Sequence, residues 1–461
     1  MNPITKATRR SRIAITLFAL AILLLPITGL TGLDALGELK GSASVYVLLL
    51  VLVVMCFYGR LASVTLPRVL LVFIAFLTTW IVVDAALNIE LIATAALGVR
   101  SGGGKFLTSS MVIGFGIAVS IVAAHILGDR HCVQTAFLRP LSWGVLLCAV
   151  FAVPELLTWV SPAMTPVYIA TTALFHTVET EQGRVIGRLT SITFEAPDLA
   201  YFTATALPWL LLGSRLTFAR IGEHGRALAH LASVAGLVLL LLSQSRTGFL
   251  MLATIVAAET AFWVGLRRLR LPAASISIAL AACIVCYVFF ISHWISTISA
   301  TAVANEDVST ITRSALLTAQ LSIFAEHPFI GVGFGQYGFY VPDVLPSWAW
   351  SSYEIERFFE TQGEFPASFN VFGRIGAELG MPGLLIWFGF WITVVHRVAA
   401  SASSLPDRSF ALYVNLAILS STLTLLVGGI STDAFRRPET WILIAIVSLY
   451  AGRSGTRQES V

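Results

Sequence analysis

Eight arginines pose the chemical question in this chain: Arg184, Arg188, Arg246, Arg313, Arg357, Arg374, Arg436 and Arg437. A guanidinium presents a planar fork of donors that grips a phosphate, and two of them grip a pyrophosphate without a metal. Arg246 is the sharpest case. It sits in Ser243-Gln244-Ser245-Arg246-Thr247-Gly248, a polar break between apolar runs at 231–242 and 249–264, with no acid in the hairpin. Arginine is among the costliest residues to place beside hydrocarbon, so this charge faces water, a carboxylate or an anionic ligand. The missing acid favours a ligand, and Arg188 and Arg437 lean the same way. Arg313 leaves a cap, a pair or a ligand open. Arg357 has Glu354, Glu356 and Glu360 close by, which favours plain pairing. Arg374 has Glu378 one helical turn on, a stock ion pair. Asn370 precedes Arg374 by four residues, so both could face one ligand, and Ser245 adjoins Arg246.

Other candidates are weaker. Gly331-x-Gly333-x-Gly335 lacks the strand and lysine of a phosphate loop and reads as a turn after a helix. His327, next to Pro328, reads as a helix-end histidine. Cys283-x-x-Cys286 lies in an apolar run and reads as packed helix. No His, Cys, Asp and Glu group has metal-ligand spacing, so neither metal nor cofactor is expected. Nothing calls for a nucleic-acid partner.

The elements that must carry these residues follow from hydropathy. Of 461 residues, 57% are hydrophobic and 12% charged, where a soluble domain carries about 25% charged. Separate apolar runs read as spanning helices rather than the short alternating strands of a barrel. They fall at 13–30, 45–58, 69–83, 106–127, 141–160, 200–212, 231–242, 249–264, 273–291, 382–395, 410–427 and 441–450. The expected fold is therefore all-α: a polytopic bundle of about twelve transmembrane helices in a lipid bilayer. The basic N-terminus followed by the first run reads as an uncleaved first span. The mixed stretch 84–104 suits a short interfacial helix.

Placing the N-terminus inside puts Arg60 and Arg68, Arg130 and Arg139, Arg215, Arg220 and Arg226, Arg267, Arg268 and Arg270, Arg397 and Arg408, and Arg453 and Arg457 in inner loops. That is the positive-inside pattern, with both termini cytoplasmic. The eight arginines then face outward, in segments at 161–198, 243–248 and 293–381 and beside the last span. The chain divides into helices at 1–292, a long outer loop at 293–381 carrying helices at 314–324 and 366–379, and helices at 382–461.

Four stretches in order resemble the O-antigen ligase and polymerase superfamily. Ser243 to Gly248 is similar to its S-x-S-R-T-G signature. Glu326 to Gly335 resembles its P-hydrophobic-hydrophobic-G-x-G stretch. Asn370 through Ala377-Glu378-Leu379-Gly380 to Gly383 resembles its H-N … A-E-L-G helix. Gly187-Arg188-Leu189-Thr190 with Pro197-Asp198-Leu199-Ala200 resembles its G-R … P-N-x-x-A stretch. The resemblance covers the chain from about residue 187 onward. It implies a GT-C-like, metal-independent glycosyltransferase at the periplasmic face of a bacterial inner membrane, acting on undecaprenyl-pyrophosphate-linked glycan. It also implies flippase and chain-length regulator proteins as partners. Arg188 and Arg246 take the pyrophosphate-binding positions, because paired positive charge stabilises the departing lipid pyrophosphate.

One position departs. Phe369-Asn370 stands where the family has His-Asn, so the ligase histidine is missing. The expectation is therefore a polymerase of O-antigen or exopolysaccharide, with a ligase using another base, or a transporter, as alternatives. Glu195, Asp198, Glu378 and His327 are the candidate bases. The catalytic set reads Arg246, Arg188, Asn370 and Glu195, and the substrate-binding set Arg184, Arg313, Arg374, Arg437 and Ser245.

Overall fold

The computed structural model describes residues 3–57, 66–175, 187–216, 222–285, 308–361 and 365–452, with 301 and 303. Arg184, expected at the site, lies outside the described residues, as do Cys286 and Arg60.

The apolar runs become helices. They are α1 (Pro3–Leu23), α2 (Ala43–Phe57), α3 (Arg68–Leu87), α4 (Ile89–Thr94) and α5 (Gly102–Leu127). Next come α6 (Arg130–Val160), α7 (Thr165–Thr172), α8 (Ala196–Arg215), α9 (Gly222–Leu242), α10 (Arg246–Arg268) and α11 (Ala273–Val285). The chain ends with α12 (Val308–Glu326), α13 (Tyr337–Val344), α14 (Val371–Ala402), α15 (Phe410–Gly428) and α16 (Pro438–Tyr450). The short helix expected within 84–104 is α4. An antiparallel pair of two-residue strands, Ala96–Leu97 and Arg100–Ser101, follows it.

The helices agree with an all-α membrane protein, while seven of them among the described residues meet the length and hydropathy of a full span: α3, α5, α6, α9, α10, α14 and α15. Four more are apolar but shorter, within α1, α2, α11 and α16. The helix α8 has the length but carries Pro197, Asp198, Thr203, Thr205 and Pro208, which lower its mean hydropathy. Most of α8 is buried against α9, α10 and α15, so its surroundings are protein.

Lipid tails are as apolar as leucine, so helix packing in a bilayer depends on close fit more than on hydrophobic burial. Small residues provide that fit. A Cβ on Gly116 of α5 would lie 2.1 Å from the Trp441 ring of α16. At Gly248 of α10 it would lie 2.8 Å from Ala200 of α8. The second approach presses the start of α10, and Arg246 with it, onto the start of α8.

The outer segment builds on α14. The helix expected at 366–379 instead starts at Val371, because the Asn370 side chain caps it by accepting from Phe372 N and Gly373 N. It also does not end at Gly380. There it kinks, with φ +64°, and runs on to Ala402. The kink frees three carbonyls. Val332 N takes that of Ala377, Gly333 N that of Glu378, and Trp80 Nε1 that of Leu379. The Gly331–Gly335 stretch is thus a clamp on a bent helix, since a Cβ on Gly331 would sit 2.5 Å from the Glu378 carbonyl. A small second core, with Leu316, Ile323, Val332, Tyr337, Val341 and Ile355, fills the space between α12, α13 and the clamp.

Candidate active site

Arg188 and Arg246 meet at one turn. The chain leaves α9, passes Gln244 in the left-handed region (φ +49°) and enters α10 directly at Arg246. The Ser245 side chain caps α10, accepting from Gly248 N at 3.3 Å, and is buried. Ser245 therefore positions Arg246; its hydroxyl belongs to the helix. Alongside, Leu189 N donates to the Leu242 carbonyl and Arg188 Nε to the Ser243 carbonyl at 3.4 Å. Below them Glu155, buried at the end of α6, accepts from the backbone N–H of Thr190 and Ser191. The turn bearing Arg188 is thus tied both to the 243–248 turn and to α6.

The arrangement continues across α12. Arg246 Nη1 donates to Thr310 Oγ1 at 3.3 Å. One turn further along, Arg313 lies 4.0 Å from the Glu195 carboxylate and 4.9 Å from the centre of the Phe369 ring. Glu195 occupies the N-cap position of α8 without bonding the helix through its side chain, half of which stays exposed. Desolvation by the packed helix end and the nearby Asp198 carboxylate raise its pKa above the ordinary value, against the pull of Arg313 and Arg436. The starts of α8, α10, α14 and α16 all reach this place. Helix starts carry the positive end of the helix dipole, a setting that favours an anion.

The remaining predicted residues separate into two structural locks. Arg437 is buried, ion-pairs with Asp198 of α8 and lies 5.4 Å from the Tyr201 ring centre. The sequence expectation puts it on the substrate; the structure puts it on a carboxylate that also accepts from Thr28. Arg374 departs in the same way. Its side chain is 2% exposed and meets Glu378 at 3.2 Å, Glu38 at 3.3 Å and Asp433, with Ser109 at 3.4 Å. Lys105 closes the network on Glu38 at 2.5 Å. Burial pushes the Glu38 carboxyl up, but Arg374 and Lys105 outweigh it and hold its pKa well below the usual carboxylate range. Asn370 shares the start of α14 with Arg374, yet its carboxamide caps the helix and donates to the Ile430 carbonyl at 2.9 Å. It orients the helix start; it does not point with Arg374 at a common ligand.

Arg436, one of the eight outward arginines, stands outside the substrate-binding set expected from the sequence. It is half-buried and, among the described residues, makes no hydrogen bond or ion pair. Its charge nonetheless acts on Glu38, Glu195 and Asp198, so it stands among those carboxylates. The Arg436-Arg437 doublet was the available signal. Which member turned inward was fixed by Asp433, which caps the turn at Ala434–Arg436 by accepting from Phe435 N.

A multi-pass helical membrane protein that gathers Arg188, Arg246, Arg313 and Arg436 with one raised-pKa carboxylate at the helix ends is equipped for an anionic, membrane-borne substrate. The family model for O-antigen ligase matches residues 231–388, from within α9 to the middle of α14. That stretch contains three of the four motifs of the resemblance and supports the O-antigen ligase/polymerase superfamily. The superfamily implies ligase/polymerase-type function on lipid-linked glycans. No curated protein matches the chain.

Proposed function

We propose that this protein is a polysaccharide polymerase. It joins oligosaccharide units carried on undecaprenyl pyrophosphate into O-antigen or exopolysaccharide at the periplasmic face of the bacterial inner membrane. The observation that carries the reading is the meeting of Arg188 and Arg246 on the 243–248 turn, with Arg313 and Glu195 directly beyond it.

Arg188 and Arg246 hold the pyrophosphate of the donor, and Arg313 and Arg436 add charge at its edge. The acceptor hydroxyl gives its proton to Glu195 and attacks the anomeric carbon. The bond from that carbon to the pyrophosphate oxygen breaks, and undecaprenyl pyrophosphate leaves with charge that the guanidiniums stabilise. Glu195 is the base by comparison with its rivals. Asp198 is committed to Arg437, Glu378 is fully buried against Arg374, and His327 packs near the Tyr340 ring. Polymerase is preferred to ligase because Phe369 replaces the family's histidine and cannot move a proton.

A deletion strain tests this. Single lipid-linked repeat units should accumulate; long polymer on the lipid carrier would indicate a ligase, and unchanged glycans a transporter. The raised pKa of Glu195 gives a second test. A base must be ionised, so transfer should rise with pH through a value above the ordinary 4.5 of a glutamate. Arg313 favours the charged form, so Arg313→Gln should move this acidic limb to higher pH; an unmoved limb in kcat/KM would remove Glu195 as the base.

The two neighbouring arginines should also separate. Arg437→Ala leaves Asp198 without its cation and should cost about 3 kcal/mol of stability. Arg436→Ala should leave the melting temperature unchanged while lowering transfer about tenfold or more. Melting curves and transfer assays on the two variants check both outcomes.

A further inference from the structure

At the opposite end of the bundle from the arginine cluster, α3 and α14 run antiparallel and leave an apolar groove between them. Trp80 Nε1 bonds the Leu379 carbonyl near the site end of the pair. At the other end, Arg68 opens α3 and Arg397 lies near the end of α14. The groove measures about 500 Å³ and is lined by Val72, Phe73, Phe76, Leu385, Gly389 and Phe390 among others, with Arg68 and Arg397 at its mouth. Both arginines are exposed, and among the described residues neither makes a hydrogen bond or ion pair. Among the described residues no side chain caps the first turn of α3, whose N-cap is Pro67 and whose first residues Arg68 and Val69 line the groove.

We propose that this groove holds one acyl chain of an anionic phospholipid, with the lipid phosphate between Arg68 and Arg397. Three features agree. The groove walls are apolar and open to the side, with Phe76 62% and Leu385 66% exposed, as a lipid-filled slot requires. From Leu385 to Arg397 is about 18 Å of helix, close to the roughly 15 Å hydrocarbon depth of one leaflet. Two guanidiniums and a free helix start are complementary to a phosphodiester, and basic pockets between helices on the cytoplasmic side suit anionic head groups. The slot is separate from the proposed catalytic end and does not depend on the reaction assigned there.

Native mass spectrometry of the purified full chain, delipidated and then exposed to phosphatidylglycerol or phosphatidylcholine, reads the head-group preference. Each arginine should contribute about fivefold, so the wild type should retain phosphatidylglycerol roughly thirtyfold better. Arg68→Gln with Arg397→Gln should abolish the preference and keep weak retention of both lipids. Gly389→Phe should reduce retention of both lipids; a Cβ there meets nothing within 4 Å, so the ring enters the slot without disturbing the fold. Equal retention of the two lipids by the wild type, or a preference that survives the double substitution, overturns the proposal. So does a dimer that Gly389→Phe converts to monomer, because a second copy would then fill the groove.

Discussion

Arg246→Ala is expected to abolish polymer in cells while the protein still inserts and accumulates. Arg246 is exposed at the first position of α10, outside the buried ion-pair networks of Arg374 and Arg437. Its loss should therefore fall on the reaction. Removing one preorganised donor to a charged leaving group lowers turnover by about 10²–10³. Arg246→Lys should recover little, because an ammonium keeps the charge and loses the two-pronged grip. Transfer assays on purified variants, with melting curves alongside, check the pair. Wild-type transfer in Arg246→Ala would remove Arg246 from the mechanism.

Arg374→Ala should do the reverse and fail as a structure. It strands Glu378, Asp433 and Glu38, of which Glu378 and Asp433 are almost wholly buried. Breaking a buried pair by removing one partner costs about 3–5 kcal/mol. Arg374 joins the start of α14 to the turn at Ala434–Arg436 and to the turn at Asp34–Leu39. Its loss should therefore release the turn that presents Arg436. Low yield and a melting temperature many degrees lower are expected; a stable protein defective only in substrate affinity would return Arg374 to the substrate.

The sequence was most legible where composition alone decides. Long apolar runs made helices, and the six-residue break made a tight turn with Arg246 at its exit. The surroundings of α8 were less legible: the apolar run at 200–212 became helix, but its burial by α9, α10 and α15 is not something a hydropathy pattern records. Among the arginines, local acids marked the pairing of Arg374 with Glu378, four residues away. The pairing of Arg437 with Asp198 was hidden, since the two lie 239 residues apart. The same long-range lock separates Arg437 from Arg436, adjacent residues of one type with opposite fates. Gly380 was read as a helix end, and its positive φ does interrupt the helix. That the chain re-enters helix beyond the kink goes with the Gly331–Gly335 clamp, whose bonds to the Ala377 and Glu378 carbonyls span more than forty residues and leave no local signal.

A diphosphate held by Arg188 and Arg246 together is the central claim, and binding measures it directly. Undecaprenyl pyrophosphate and undecaprenyl phosphate would be titrated against the protein in nanodiscs. The diphosphate should bind at least about tenfold tighter, and Arg188→Gln with Arg246→Gln should erase the difference. Equal affinities for the two lipids, or a preference untouched by the double substitution, would contradict it.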